Sequence, residues 1–381
     1  MNIREFLNLI GSSLRKDRPL VPTNYNYTIK NYNGFIHFWF RTEGCKYTKG
    51  KNGGCLMCDY SSSSKSDIQE MKKYILEGLN KIGNPYLLLI NSSGSFLDDN
   101  EVPKEIRVSI YKHLQHNIDL EIILETLLET ITQNKLKEIR NILKHQIIDI
   151  EFGIEAFDTN ILKYCINKNL NLKNISQKIE LLHKYKINSV ANVLVGIPFL
   201  NEYQNIQTAV NSINSLLKKG VDTIVLFPVN IKPYTIVFWL FRNGFYKSIS
   251  LWSYIEVLNK IETKYLNNIE LSWYKDTSKN PIYKNGVTAP ITCLKCNNEV
   301  LSLLDEFSQS KENRIEILNK LNQIKCDCKD KWKDNLNNKD NLKDNILKIF
   351  PKMANQILNE NFWQKNGKIL EKEILNDFKS L

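Results

Sequence analysis

From Gly34 to Phe227 the sequence alternates strand-length apolar runs with helix-length amphipathic stretches, and this alternation limits the fold more than any other feature. Strand-like runs occupy Phe35–Phe40, 86–90, 120–124, 147–154, 189–195 and 223–227. Between them, helical spacing predicts a helix over 67–82, with Asp67 as its cap and Met71, Ile75, Leu79 and Ile82 on one face. Further helices are expected over 104–116, 132–145, 174–185 and 203–219, with a short helical stretch over 159–163. Apolar strands joined through helices argue for a parallel sheet with right-handed crossovers, and about six such units fit. In sheets of this kind the chemistry sits on loops at the carboxyl ends of the strands.

The first strand runs into Arg41-Thr42-Glu43-Gly44-Cys45, and then into Gly53-Gly54-Cys55-Leu56-Met57-Cys58-Asp59-Tyr60. Nine residues separate Cys45 from Cys55 and two separate Cys55 from Cys58. Thiolates are the ligands that iron–sulfur clusters take. Three of them leave one iron of a [4Fe–4S] cluster open to an exogenous ligand. A zinc ion with a fourth ligand elsewhere is the competing account of the same three thiols. A disulfide framework is not expected, because eight cysteines in 381 residues are sparse and the sequence reads as one from a reducing compartment.

This loop resembles the radical S-adenosylmethionine (SAM) superfamily, in which three cysteines hold the cluster and SAM chelates the open iron. The superfamily's usual spacing is Cys-x3-Cys-x2-Cys, so the longer first gap is a departure. The resemblance is closer to the archaeosine-forming, tRNA-modifying radical SAM proteins, distant relatives of the elongator catalytic subunit. It implies a partial (β/α)6 barrel, a [4Fe–4S] cluster on Cys45, Cys55 and Cys58, and SAM seated beside Met57 and Tyr60.

Later strand ends extend the resemblance. The second leads into Asn91-Ser92-Ser93-Gly94-Ser95-Phe96-Leu97-Asp98, where the superfamily contacts the SAM amino group. Small residues there allow close backbone approach, and hydroxyls bond an amine. Ser93, Gly94 and Ser95 are the residues implied. The third strand ends Glu125-Thr126-Leu127-Leu128-Glu129, where relatives carry Glu-Ser/Thr-Arg-Pro-Glu/Asp, so an arginine that could bind a carboxylate is missing. Glu125 is retained as a cofactor candidate. The fourth strand ends in Gly153-Ile154-Glu155, which makes Glu155 a candidate for the SAM ribose or methionine, and Cys165-Ile166-Asn167-Lys168 matches part of a downstream segment. Gly196 of Gly196-Ile197-Pro198-Phe199-Leu200 falls where the family turns against adenine. Pro228 falls in Leu226-Phe227-Pro228-Val229-Asn230, another partial match, and Leu251-Trp252-Ser253 with the residues after it is a near-verbatim one.

Beyond residue 280 the pattern changes. Cys293-x2-Cys296 and Cys326-x-Cys328 are paired, short-spaced cysteines, a metal signature outside oxidising compartments. A structural zinc is the leading account and a second iron–sulfur cluster the alternative, since four thiolates suit either. The expected organisation is an amino-terminal helical extension (1–33), the barrel (34–280), a cysteine-rich metal segment (281–332) and a basic helical tail (333–381). The resemblance covers roughly residues 34 to 332.

No apolar run approaches the roughly 20 residues of a bilayer span, and a cytoplasmic protein is expected. The formal charge of +11 favours anionic partners, nucleic acid first, although a lysine- and asparagine-rich composition accounts for it equally well. The resemblance implies that SAM is cleaved to a 5′-deoxyadenosyl radical. It also implies a tRNA substrate bearing a lysine-adduct deazaguanine, whose C–N bond is broken to leave an amidine. A lysine-transferring enzyme would be the partner, and ferredoxin or flavodoxin the reductant. The alternatives are a divergent paralogue acting on a small molecule, including aminocarboxypropyl transfer from SAM, and a non-catalytic RNA-binding module.

Overall fold

The computed structural model describes residues 1–18, 26–32, 34–49, 53–59, 67–92, 94–275, 289–337 and 340–379. Its centre is one eight-stranded sheet: β1 (Tyr27–Tyr32), β2 (Phe35–Phe40), β3 (Leu87–Ser92), β4 (Glu121–Thr126), β5 (Ile147–Glu155), β6 (Asn188–Val195), β7 (Thr223–Pro228) and β8 (Ile269–Leu271). The strands follow one another in sequence order. β1 pairs antiparallel with β2, and every later neighbour is parallel. The sheet curls without pairing β8 to β1, so it is a partial barrel, with the six expected units running from β2 to β7. The hairpin partner β1 and the three-residue β8 are additions to the sequence reading.

The helices are α1 (Ile3–Arg15), α2 (Lys46–Lys49), α3 (Ile68–Asn80), α4 (Lys104–Leu114), α5 (Gln133–Ile142), α6 (Ile175–Lys184) and α7 (Glu202–Lys218). They continue with α8 (Ile236–Arg242), α9 (Leu251–Lys260), α10 (Asn297–Gln309), α11 (Arg314–Gln323), α12 (Asp327–Asn335), α13 (Leu342–Ile357) and α14 (Phe362–Asp377). Asp67 caps α3 as expected, its carboxylate accepting from the N–H groups of Gln69 and Glu70. The short stretch expected over 159–163 is a π-helical turn, Ile161–Ile166, ending at a left-handed Asn167.

Strand alternation sorts the side chains onto two faces. Phe38, Ile90, Leu124, Ile150, Val193 and Leu226 point outward into the apolar layer under the helices. Among the residues of opposite parity are Asn91, Glu125, Glu151 and Asn192, so the concave face carries polar groups toward its carboxyl end. β3 is therefore less uniformly apolar than expected, and it runs on to Asn91 and Ser92.

A second apolar cluster joins the two ends of the protein. Phe6 of α1 packs against Phe350 of α13 at 5.4 Å between ring centroids and against Trp363 of α14 at 5.7 Å. Leu56 of the cysteine loop belongs to the same cluster. The residues after 340, whose role the sequence left open, thus pack as helices on α1. No helix among the described residues is long and apolar enough to cross a membrane.

Candidate functional site

Cys45 follows β2 at the carboxyl edge of the sheet, and its loop is fixed by buried polar groups. Thr42 Oγ1 donates to Glu101 Oε1 at 2.7 Å, Ser92 Oγ donates to the same oxygen at 3.0 Å, and the Ser95 N–H donates to Glu101 Oε2 at 2.6 Å. One buried carboxylate therefore ties the cysteine loop to the loop after β3. Burial pushes the Glu101 carboxyl up, and these three donors oppose that shift. Local sequence carries no sign of this role.

Gly94 is required by space. A Cβ there would lie 2.6 Å from Cys45 Cα, so the backbones touch where a side chain would force them apart. Ser95 is fully buried, and its hydroxyl lies 2.7 Å from Thr126 Oγ1 while accepting from the Leu127 N–H at 3.1 Å. It joins the ends of β3 and β4. Ser93 and Tyr60 lie outside the described residues.

The second half of the loop is clamped from three sides. Arg15 of α1 donates to the Gly53 carbonyl, and a Cβ on Gly53 would lie 2.6 Å from Asn8 Cα. Asn167 donates to the Gly54 carbonyl at 2.9 Å, and the Leu56 N–H donates to Ile166 O at 3.0 Å. The Val237 N–H at the start of α8 donates to Leu56 O at 3.2 Å. Asp59 faces Lys232 at 3.2 Å and Arg18 at 3.8 Å. Met57 is half-buried at the edge of the apolar cluster around Leu56.

These contacts bring Cys45, Cys55 and Cys58 within electrostatic reach of one another. Burial, with the neighbouring Cys58, pushes the Cys45 thiol up to about 12. Burial pushes Cys55 up as well, and the Lys168 ammonium opposes that shift. Arg15 and Arg18 lie close enough to Cys58 to feel its charge, as does Lys232. A loop of three thiols ringed by four buried or half-buried cations suits a group that is anionic when bound. Cys165, the fourth cysteine of this half of the protein, is wholly packed among apolar residues.

Glu155 stands at a bulge at the end of β5 with φ of +69°, a strained conformation for a residue with a side chain. Lys168 holds it: its ammonium bonds Glu155 Oε1 at 3.0 Å and Gly153 O at 2.7 Å. Burial pulls the Lys168 ammonium down, but Glu155 and Cys55 outweigh it and raise it overall. Glu125 accepts from Asn91 Nδ2. Burial, then the charges of Glu151 and Glu155, push the Glu125 carboxyl up, and burial pushes Glu151 up too.

Asn91 near the end of β3, Asn192 within β6 and Asn230 just after β7 present buried amide oxygens with no hydrogen-bond partner among the described residues. Acceptors left so within a fold call for a donor. The three thiols suit a cluster, and these acceptors suit a ligand that carries an amine and hydroxyls, as SAM does. Gly196 has φ of +87°, its N–H bonds Asn205 Oδ1 at 2.9 Å and its carbonyl accepts from Tyr246. Pro228 is buried at the end of β7, and its carbonyl faces Asn230 Nδ2 at 3.5 Å. The glycine turn and the proline are tied into loop scaffolding.

The four carboxyl-terminal thiols converge far more tightly. Cys293, Cys296, Cys326 and Cys328 offer sulfurs all within 4.8 Å of one another, the only set of three or more such ligand groups that close among the described residues.

No protein-family model matches the chain. It is 32% identical over 350 residues to an uncharacterized protein of Methanocaldococcus jannaschii, spanning 87% of this chain and 92% of that one. It is 28% identical over 300 residues to archaeosine synthase subunit beta of Methanosarcina acetivorans, spanning 77% of this chain and 82% of that one. The solved structure of the archaeal Elp3 of Methanocaldococcus infernus superposes with a TM-score of 0.46 at 13% identity, over 65% of this chain and 59% of that one. The chain belongs to one family with the Methanocaldococcus jannaschii protein and shares sequence similarity over most of its length with archaeosine synthase subunit beta.

Proposed function

We propose that the protein is a radical SAM enzyme of tRNA modification, acting on a lysine-adduct deazaguanine and breaking the C–N bond to the lysine to leave the archaeosine-type amidine. The observation that carries this reading is the three-cysteine loop at the carboxyl mouth of the curled sheet, backed against Gly94 and ringed by Arg15, Arg18, Lys168 and Lys232. The similarity to archaeosine synthase subunit beta over most of both sequences supports the substrate class.

Cys45, Cys55 and Cys58 would hold a [4Fe–4S] cluster. With SAM bound, that cluster supplies one-electron cleavage of SAM to a hydrogen-abstracting 5′-deoxyadenosyl radical. The protein's own residues bind and orient. Gly94 lets the backbone after β3 approach the cysteine loop, and the amide oxygens of Asn91, Asn192 and Asn230 accept from amine and hydroxyl groups. Lys168 keeps Glu155 turned toward the cysteine side of the sheet. Leu127 and Leu128, where the resemblance leads one to expect Arg-Pro, remove one carboxylate-binding cation from the mouth. That replacement favours, as the second reading, a paralogue acting on a different substrate, including a small molecule.

Anaerobic reconstitution with iron and sulfide, followed by SAM and dithionite, tests the reading. The expected product is 5′-deoxyadenosine, formed faster with tRNA bearing the lysine adduct and absent when Cys55 is replaced by alanine. Methylthioadenosine would mean aminocarboxypropyl chemistry and would overturn the C–N cleavage. 5′-Deoxyadenosine formed with indifference to any tRNA would move the reading to the small-molecule paralogue.

A further inference from the structure

The carboxyl-terminal thiols come from two turns. Cys293 and Cys296 form a tight turn ahead of α10, in which the Cys296 N–H donates to Cys293 O at 3.1 Å. Cys326 and Cys328 flank the start of α12. Their sulfurs are separated by 3.7 Å (Cys293 to Cys296), 3.4 Å (Cys293 to Cys326), 3.5 Å (Cys296 to Cys328) and 3.4 Å (Cys326 to Cys328).

Those separations choose between the two metals that four thiolates could hold. Around a single zinc ion with bonds of about 2.3 Å, the sulfurs of a tetrahedron stand about 3.8 Å apart. A cubane places each terminal thiolate on a different iron, farther out and farther apart. Four sulfurs this close leave room for one ion and none for a cluster. The set is also closed, with four protein ligands and no position for water or substrate, as in structural zinc sites. Between single ions, a thiolate site binds Zn²⁺ more tightly than Fe²⁺.

Groups behind the thiols support them, as hydrogen-bond donors behind metal ligands do. The Trp252 Nε1–H of α9 donates to Cys328 Sγ at 3.2 Å, and Thr292 Oγ1 lies 3.3 Å from Cys296 Sγ. Lys329 lies 4.8 Å over the Trp252 ring, bringing positive charge to a site that four thiolates make negative.

We infer that Cys293, Cys296, Cys326 and Cys328 bind one zinc ion that locks α10–α12 onto α9 and the β8 edge of the barrel. Cys293 and Cys296 lead into α10, which packs on β8, and Cys326 and Cys328 lead into α12. Trp332 of α12 donates to Ser253 Oγ at 2.7 Å, and Ser253 in turn bonds Glu202 at the start of α7. Arg314 of α11, fully buried, donates to Leu266 O and Ile269 O, both at 2.6 Å. The ion therefore fastens the last strand without touching the amino-terminal thiols, and the inference stands apart from the reaction assigned above.

The full-length protein, purified anaerobically from cells supplied with both iron and zinc, tests this directly. Metal analysis is expected to find about one zinc per molecule, and zinc-edge X-ray absorption a single shell of four sulfurs at about 2.3 Å. The Cys45→Ala, Cys55→Ala, Cys58→Ala triple variant should lose its iron and keep the zinc, and Cys293→Ser with Cys328→Ser should do the reverse. Iron and sulfide tracking the carboxyl-terminal cysteines, a lone iron there, nitrogen or oxygen in the zinc shell, or no zinc at all would each overturn the assignment. The absorption measurement needs only the wild-type protein, so it decides the matter even if the double variant fails to fold.

Discussion

The two cysteine regions share a Cys-x2-Cys step and almost nothing else. Around Cys45, Cys55 and Cys58 the polypeptide is held by others: Glu101 from the loop after β3, Arg15 from α1, Asn167 and Lys168 from beyond β5. Around Cys293, Cys296, Cys326 and Cys328 the thiols meet each other, with the Trp252 indole and the Thr292 hydroxyl against them. The first region is surrounded by charged side chains from other elements. The second closes on a point. A thiol spacing in sequence therefore says that metal chemistry is present, while the spacing in space, and what lines it, says whether the metal is a reagent or a rivet.

The largest effect that would break this comparison is at the first region. Cys58→Ala should abolish iron-dependent SAM cleavage, a drop of at least about 1,000-fold measured as 5′-deoxyadenosine under dithionite, with zinc content unchanged. Persistence of cleavage would erase the distinction. Next comes the second region. Removing its metal with a thiophilic chelator should lower the melting temperature by about 10 °C, since metal binding is folding free energy. The initial rate per folded, iron-loaded molecule should stay within about twofold, and a proportional loss of rate would mean that the rivet belongs to the reaction.

Lys168→Met sharpens the contrast at smaller scale. It leaves Glu155 buried without its partner, and breaking a buried pair costs about 3–5 kcal/mol, visible as a lower denaturant midpoint. It should also raise the KM for SAM more than it lowers kcat. The smallest effect concerns pH. Glu125 titrates at about 8 in the fold against 4.5 ordinarily, and Glu151 at about 7. Between those limits the folded protein holds protons that the unfolded one has released. Stability should thus fall as pH rises from about 5 to about 8. Glu125→Gln should flatten that slope in a series of melting curves, and an unchanged slope would remove Glu125 as its source.

Much of the barrel was legible because strands buried in a parallel sheet read as apolar runs, while burial of one helix face imposes a period of 3.6. The apolar faces of α3 and α7 show that pattern plainly, and the thiol pairs announce themselves by residue type. Three things were not legible. The β1 hairpin has half-exposed, mixed residues and is held mainly by pairing to β2. β8 is three residues long, too short for any period. The supports of the cysteine loop are tertiary: Thr42 and Glu101 are 59 positions apart, and nothing near Glu101 sets it apart from a surface glutamate. Ser95 illustrates the converse, a motif residue whose surroundings absorb its hydroxyl.

The apolar cluster that joins Leu56 and α1 to α13 and α14 makes the cysteine loop depend on distant sequence. Ile3 N–H bonds Glu373, and Phe6 packs against residues some 350 positions later. Arg15 and Asn8, which close over Gly53, ride on that helix. Local opening of α13 and α14 would therefore loosen the cover of the cysteine loop.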